Sequence, residues 1–98
     1  MIMRDYFDYI LTNMNHTVFY TGVTNNLYQR VKDHGVGKGG KFTARYQIRK
    51  LVYYEVFEMV EDAIAREKQI KAGSRQKKID LVNEMNPDWL DLFEDMFF

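Results

Sequence analysis

Short runs of β-branched and aromatic residues alternate with polar turn segments in the first half of the chain. Residues 6–12 and 17–23 are rich in Tyr, Phe, Val, Ile and Thr, and the Asn-Met-Asn-His segment between them favours a turn. The pattern predicts a β-hairpin in which alternate residues from Phe7 to Leu11 share one face. Residues 51–57 have the same composition and predict a third strand.

The segment after the second predicted strand has apolar residues at the spacing of an α-helix. Thr24 or Asn25 is placed to cap a helix over about residues 26–35. A cluster of four glycines at and beyond its end predicts that the helix stops there and that residues 38–50 form a flexible basic loop.

The second half of the chain is predicted to be largely helical. Residues 60–72 carry apolar side chains at helical spacing, and Ser74 is a plausible N-cap for a helix that runs to the Asn86-Pro87 break. Residues 88–93 predict one further helical turn that packs Trp89 on the domain. The predicted fold class is α/β in the broad sense, an α+β domain with a small three-stranded antiparallel sheet flanked by three to four helices.

Length and composition predict a single globular domain over residues 1–98, with 94–98 as a frayed tail. The chain has no cysteine, which excludes disulfides, thiolate-bound zinc and cysteine nucleophiles. No apolar run approaches the roughly 20 residues that span a bilayer, and Arg4, Asp5 and Asp8 lie where a signal peptide would be apolar. We therefore expect a cytoplasmic protein without a membrane segment.

The charged residues are segregated although the formal net charge is zero. Residues 30–50 carry seven Lys or Arg against one Asp, and residues 63–78 carry six against one Glu. Two basic blocks of this kind can form a positive face that attracts a polyanion, because the local field steers binding. The alternative is that both blocks are ordinary solvated surfaces.

Two basic side chains of the first helix fall near its apolar stripe. At 100° per residue, Leu27 and Val31 define the stripe, and Arg30 and His34 lie within about 60° of Leu27. Arg30 and His34 are therefore expected to face inward or to line a groove.

A carboxylate lies within the apolar stripe of the 60–72 helix. Glu67 falls near the centre of that stripe, which is defined by Val60, Ala63, Ile64 and Ile70. Natural domains keep inward charges when they are paired, bound to metal or used on a ligand. One interpretation is an Arg30–Glu67 ion pair with His34 hydrogen-bonded nearby; the other is a functional site shared with Tyr9 and Tyr20.

At these residues the chain resembles the GIY-YIG endonuclease family, and in particular its small single-domain members akin to the N-terminal nuclease module of the excinuclease C subunit. The residues that carry the resemblance are Tyr9, Tyr20 with Gly22, Arg30, His34, Glu67 and one asparagine, either Asn83 or the better-fitting Asn86. The first signature departs from the family pattern, because Phe7-Asp8-Tyr9 stands for Gly-Ile-Tyr, and Thr21 replaces the isoleucine of the second. Strand alternation places Asp8 on the face opposite Tyr9.

The resemblance implies a metal-dependent DNA endonuclease with a role in DNA repair or recombination. Glu67 would bind Mg²⁺ or Mn²⁺, Arg30 would hold the phosphate, and Tyr20 would hold the hydrogen-bond network or touch the phosphate. Either His34 or Tyr9 could act as the general base, and the family precedent favours Tyr9.

The expected partner is DNA. The candidate nucleic-acid-binding residues are Lys38, Lys41, Arg45, Lys71, Arg75, Lys77, Lys78 and Asn86. A competing interpretation is a nucleic-acid-binding module that keeps the nuclease fold but has little intrinsic cleavage. A third is a protein-interaction domain or homodimer that uses the acidic, aromatic C-terminus from Asp88 to Phe98.

Overall fold

The computed structural model describes residues 5–97, with side chains through residue 94. The elements in chain order are β1 (Tyr6–Thr12), β2 (Phe19–Thr24), α1 (Leu27–Gly35), α2 (Lys41–Arg45), β3 (Lys50–Phe57), α3 (Val60–Ala72), α4 (Arg75–Met85) and α5 (Leu92–Phe97). No helix in this described part of the chain is long and apolar enough to cross a membrane.

The three strands form one antiparallel sheet in the order β2-β1-β3, so β1 is the central strand. Tyr9 of β1 is paired with Gly22 of β2 on one side and with Tyr54 of β3 on the other. The β1–β3 register shifts between Ile10 and Leu11.

Alternation along β1 produces a hydrophobic core on each face of the sheet. Tyr9 and Leu11 pack in one cluster with Leu27 and Val31 of α1. On the other face Ile10 packs in a second cluster, which includes side chains from α3 and α4. The sheet is therefore a middle layer with helices on both sides.

The predicted three-stranded α+β fold is confirmed, and the structure adds detail that the sequence pattern did not provide. The segment predicted as a flexible loop contains α2, so residues 5–97 form five helices. The N-cap of α1 is Asn26, whose side chain accepts a hydrogen bond from the Gln29 backbone, and the expectation of Thr24 or Asn25 was wrong. Ser74 caps α4 as expected.

The apolar stripe of α3 is narrower than predicted. Ala63, Glu67 and Ile70 are buried, but Ile64 is exposed. Glu67 is therefore flanked by a smaller apolar surface than the spacing alone indicated.

The C-terminal segment differs from the predicted helical turn at 88–93. Trp89 has a positive φ and lies outside any helix; its ring stacks on His16 with centroids 4.7 Å apart, and its Nε1 donates to Asn83 Oδ1 at 2.7 Å. The last helix starts only at Leu92 and includes part of the segment expected to be a frayed tail. The side chains of Met96, Phe97 and Phe98, on which the protein-interaction interpretation rests, lie outside the described ones.

Candidate active site

Three aromatic side chains predicted as site residues meet on one face of the sheet. The Tyr20 and His34 rings have centroids 5.2 Å apart, and the Tyr9 ring lies 6.2 Å from Tyr20 and 6.3 Å from His34. They come from β1, β2 and α1, so the fold brings together residues that are distant in sequence. Tyr9 and His34 are each 1% exposed.

Gly22 makes room for the first tyrosine. A β-carbon on Gly22 would collide with the Tyr9 hydroxyl and ring. The glycine following Tyr20 therefore has a steric role, because any side chain would push Tyr9 out of its position beside His34.

The imidazole of His34 is fixed by a neighbour that the sequence analysis missed. His34 Nδ1 lies 3.0 Å from Thr43 Oγ1, which donates its own proton to the Gly40 carbonyl at 3.3 Å. Nδ1 then carries the hydrogen, and Nε2 is left with a free lone pair. Nε2 is buried and has no hydrogen-bond partner among the described residues.

The electrostatics of His34 favour the neutral ring. Burial lowers its pKa below the ordinary value, Arg30 lowers it further, and Asp33 opposes both effects. At neutral pH His34 is therefore an uncharged acceptor at Nε2, which is the form of imidazole that can accept a proton.

Arg30 is exposed, so of the two expectations for it, that it faces inward or that it lines a groove, the first was wrong. Its positive charge acts on both Tyr9 and His34, which places the guanidinium near the cluster. Arg30 lies about 60° from Leu27 around the helix, at the edge of the apolar stripe. From there its long side chain can extend past the apolar surface into solvent.

Glu67 is buried as predicted, at 8% exposure, but it is not paired with Arg30. Its partner is Lys71, one turn further along α3, with Nζ 3.1 Å from Glu67 Oε1. The Arg30–Glu67 ion pair that offered a purely structural explanation is therefore absent among the described residues.

The Tyr9 phenol is a poor base in this environment. Burial is the largest cause that raises its pKa, and Tyr20 and Glu67 raise it further, while Arg30 acts in the opposite direction. Arg30 does not outweigh burial, so the phenol keeps its proton across the physiological range.

The donor set at Glu67 fits a magnesium ion that is held mainly by substrate and water. The described residues contain no group of three or more His, Asp or Glu side chains able to enclose a metal. Mg²⁺ commonly uses one or two carboxylates, several waters and substrate phosphates. A single buried carboxylate next to a displaceable lysine matches that requirement.

Asp8 lies on the opposite face of the sheet from Tyr9, as expected, and it is completely buried. Both of its carboxyl oxygens lack a hydrogen-bond partner in the described structure, and Glu55 is its register partner on β3. Glu55 is itself paired with Arg66 at 2.9 Å. Burial first, and then the charges of Glu55 and Glu67, raise the pKa of Asp8 to about 7.

Asn86 has a structural role, which corrects its prediction as a nucleic-acid contact. It is buried, and its side-chain Nδ2 donates to the carbonyls of Val52 at 3.1 Å and Leu90 at 2.9 Å. Its Oδ1 accepts from the Leu90 backbone at 3.0 Å. One amide hydrogen therefore connects the end of α4 to β3, and the other connects it to the segment before α5.

The first basic block is available to a ligand. Lys38, Lys41 and Arg45 are exposed, and none forms an ion pair with a carboxylate in the described part of the chain. Lys77 of the second block is exposed as well.

The rest of the second block is largely engaged in contacts within the chain. Lys78 Nζ donates to the Gly73 carbonyl at 2.8 Å, at the end of α3, so its main contact is structural rather than with phosphate. Arg75 lies over the Phe19 ring at 4.7 Å, and Lys71 belongs to the carboxylate pair described above.

The arrangement of two strand tyrosines, a helix histidine and a buried glutamate agrees with the comparison to known families. A family model described as the GIY-YIG catalytic domain matches residues 6–80. The chain belongs to the GIY-YIG family. Membership indicates nuclease activity, and GIY-YIG nucleases act on DNA.

Relatives of similar size share most of this GIY-YIG chain. A UPF0213 protein of Staphylococcus haemolyticus is 37% identical over 82 residues, covering 84% of this chain and 99% of the relative. A UPF0213 protein of Haloquadratum walsbyi is 34% identical over 82 residues, covering 84% and 92%. The solution NMR structure of a UPF0213 protein from Bacillus halodurans superposes with a TM-score of 0.57 at 32% identity, over 89% of this chain and 92% of that one.

Gly39 provides a test of how His34 is held. A β-carbon at Gly39 would collide with the imidazole, whereas a β-carbon at Gly35 would meet nothing within 4 Å. We expect Gly39→Ala to lower the free energy of unfolding by about 1 to 3 kcal/mol, because overpacking displaces His34 from Thr43.

Urea denaturation of Gly39→Ala and the matched control Gly35→Ala measures this effect. Gly35→Ala should leave stability unchanged or raise it slightly, because Gly35 ends a helix without requiring a positive φ. Equal stability of Gly39→Ala and the unmodified protein would contradict the described packing.

Proposed function

We propose that the protein is a metal-dependent DNA endonuclease that hydrolyses phosphodiester bonds at the cluster formed by Tyr9, Tyr20 and His34. The observation that carries the proposal is the convergence of these three rings with charges of both signs from Arg30 and Glu67. Family membership supports the nuclease class. A role in DNA repair or recombination, suggested by the resemblance to excinuclease C, belongs to the same proposal.

The proposed roles are of two kinds: Arg30 and Glu67 bind charged groups, and His34 accepts a proton. Arg30 binds a non-bridging phosphate oxygen through its planar fork of donors, and its exposed position lets a polymer reach it. Glu67 would hold Mg²⁺ or Mn²⁺, which supplies charge neutralisation at the phosphate when bound.

His34 is the better candidate for the general base in this structure. Its Nδ1–H is directed to Thr43, and its Nε2 lone pair is unpartnered in a neutral ring. Tyr9, by contrast, keeps its proton because of burial. Tyr9 and Tyr20 would then orient the attacking water or the phosphate as hydrogen-bond donors.

The decisive test is a cleavage assay with Mg²⁺ or Mn²⁺ over a panel of nicked, branched, single-stranded and duplex DNA. Cleavage of at least one substrate that stops on chelation of the metal is the expected result. Salt-sensitive binding of every substrate without metal-stimulated cleavage would instead support a binding module and overturn the nuclease assignment.

Arg30 offers a prediction about phosphate recognition. Arg30→Ala should reduce cleavage by about 100-fold, because removal of one preorganised donor set commonly costs two to three orders of magnitude. Arg30→Lys should recover only part of that loss, because lysine keeps the charge but not the fork.

Single-turnover rates at saturating enzyme measure the effect on the chemical step. Gln29→Ala is a suitable control, because Gln29 is exposed on the same helix and interacts with Asp33. Full recovery of the rate by Arg30→Lys would contradict a bidentate role for Arg30.

A further inference from the structure

Phe42 of α2 and Tyr46, the C-cap residue of that helix, form an exposed aromatic pair, which we call the aromatic platform. Phe42 is 50% exposed and Tyr46 is 42% exposed, and their ring centroids are 5.0 Å apart. The two positions are four residues apart, so they lie on one side of this short helix. Arg45 adds a cation 5.5 Å from the centroid of the Tyr46 ring.

The platform lies in the most basic stretch of the chain. Between Asp33 and Glu55 there is no acidic residue, whereas this segment contains five Lys or Arg: Lys38, Lys41, Arg45, Arg49 and Lys50. Two half-exposed rings in a segment that carries basic and no acidic residues are poorly suited to an acid-poor protein partner, but they match a polyanion that also offers flat apolar surfaces.

The platform is connected to the proposed active site through the inner side of α2. Thr43, the residue after Phe42, is buried and contacts His34 Nδ1. Ile48, two residues after Tyr46, is fully buried in the core cluster that contains Tyr9. The inner side of this segment holds the histidine in place, and its outer side presents the rings.

We propose that the aromatic platform stacks unpaired nucleobases of the DNA strand that enters the active site, while Lys38, Lys41 and Arg45 bind the adjoining phosphates. This inference rests on the proposed function, because it assumes that the strand passes the His34 cluster. It names the substrate class: DNA with at least one unstacked base next to the cleaved phosphate. A paired duplex hides its base faces and would gain only the phosphate contacts.

The experiment measures binding without cleavage, so its result does not depend on nuclease activity. Fluorescence anisotropy with the Glu67→Ala protein in a chelating buffer compares a thymidine 12-mer with an abasic 12-mer of the same charge. We expect tighter binding of the thymidine oligomer, because stacking on an aromatic ring contributes a base-dependent gain that the abasic strand lacks.

The Phe42→Ala, Tyr46→Ala double variant should lose about 10-fold or more in affinity for the thymidine oligomer and become equal for the two oligomers. Its affinity for the abasic oligomer should not change. Phe42→Leu, Tyr46→Leu retains apolar bulk and protects the test against a folding defect; it should show the same selective loss.

Tyr28→Ala is the matched aromatic control, because Tyr28 is 43% exposed but lies on α1, outside the platform. It should leave the preference for thymidine intact. The proposal is overturned if the unmodified platform shows no preference for bases, if the double variants keep the preference, or if Tyr28→Ala abolishes it equally. Absence of cleavage in the separate metal-dependent assay would overturn the proposed function, but not the base stacking that the binding experiment measures.

Discussion

The Glu67→Ala variant is expected to fold normally and to lose metal-dependent DNA cleavage by at least about 1,000-fold. Glu67 is a buried carboxylate whose charge reaches Tyr9, and the only ion pair described for it is with the exposed Lys71. Loss of a pair with an exposed partner costs little stability. We therefore expect the lost cleavage activity to result from lost binding of the metal ion and not from unfolding.

Two measurements separate this expectation from a general defect. Calorimetric titration with Mn²⁺ in the presence of a DNA analogue that resists hydrolysis should show binding to the unmodified protein and none to Glu67→Ala. Glu61→Ala, which removes an exposed acid from the first turn of the same helix, should keep full activity. Substantial cleavage by Glu67→Ala would remove Glu67 from the metal site.

Asp8→Asn should raise the free energy of unfolding at pH 8 by about 2 to 4 kcal/mol. Asp8 is fully buried without a partner, and its pKa is raised from 3.8 to about 7. The folded chain therefore binds this proton more tightly than the unfolded chain does. As pH rises from about 4 to about 7, the folded state loses stability, and above pH 7 the loss is complete.

The pH dependence distinguishes this effect from better packing of the amide. Urea denaturation at pH 4 and at pH 8 should give nearly equal stabilities for Asp8→Asn and the unmodified protein at pH 4, and a clear gain for the variant at pH 8. Asp62→Asn, on the exposed side of α3, should show no comparable gain. An equal gain at both pH values would mean that Asp8 ionises normally.

Local patterns predicted much of the fold. The bounds of β1 and α3 agree with the predicted ranges, because aromatic and β-branched composition marks the strand and a period of about 3.6 in the apolar residues marks the helix. The same period identified Glu67 as an inward carboxylate and His34 as an inward imidazole. These two assignments needed no knowledge of tertiary contacts.

The remaining features depend on contacts between segments that the sequence does not mark. Helix α2 has only five residues and follows a glycine-rich stretch, so its propensity signal is weak and its stability comes from burying Thr43. The Thr43–His34 contact is non-local in the same sense. Arg30 was misplaced because helical position defines where a side chain starts and not where a long one ends.

Because β1 is the central strand, its register against β2 and β3 determines the positions of two buried side chains at once. The neighbouring residues Asp8 and Tyr9 lie on opposite faces of the sheet, and each is buried on its own face. A shift of β1 by one residue against β2 and β3 would exchange them, placing the carboxylate among the rings and the phenol beneath α3. Insertions or deletions within this strand should therefore eliminate the proposed catalysis and folding together.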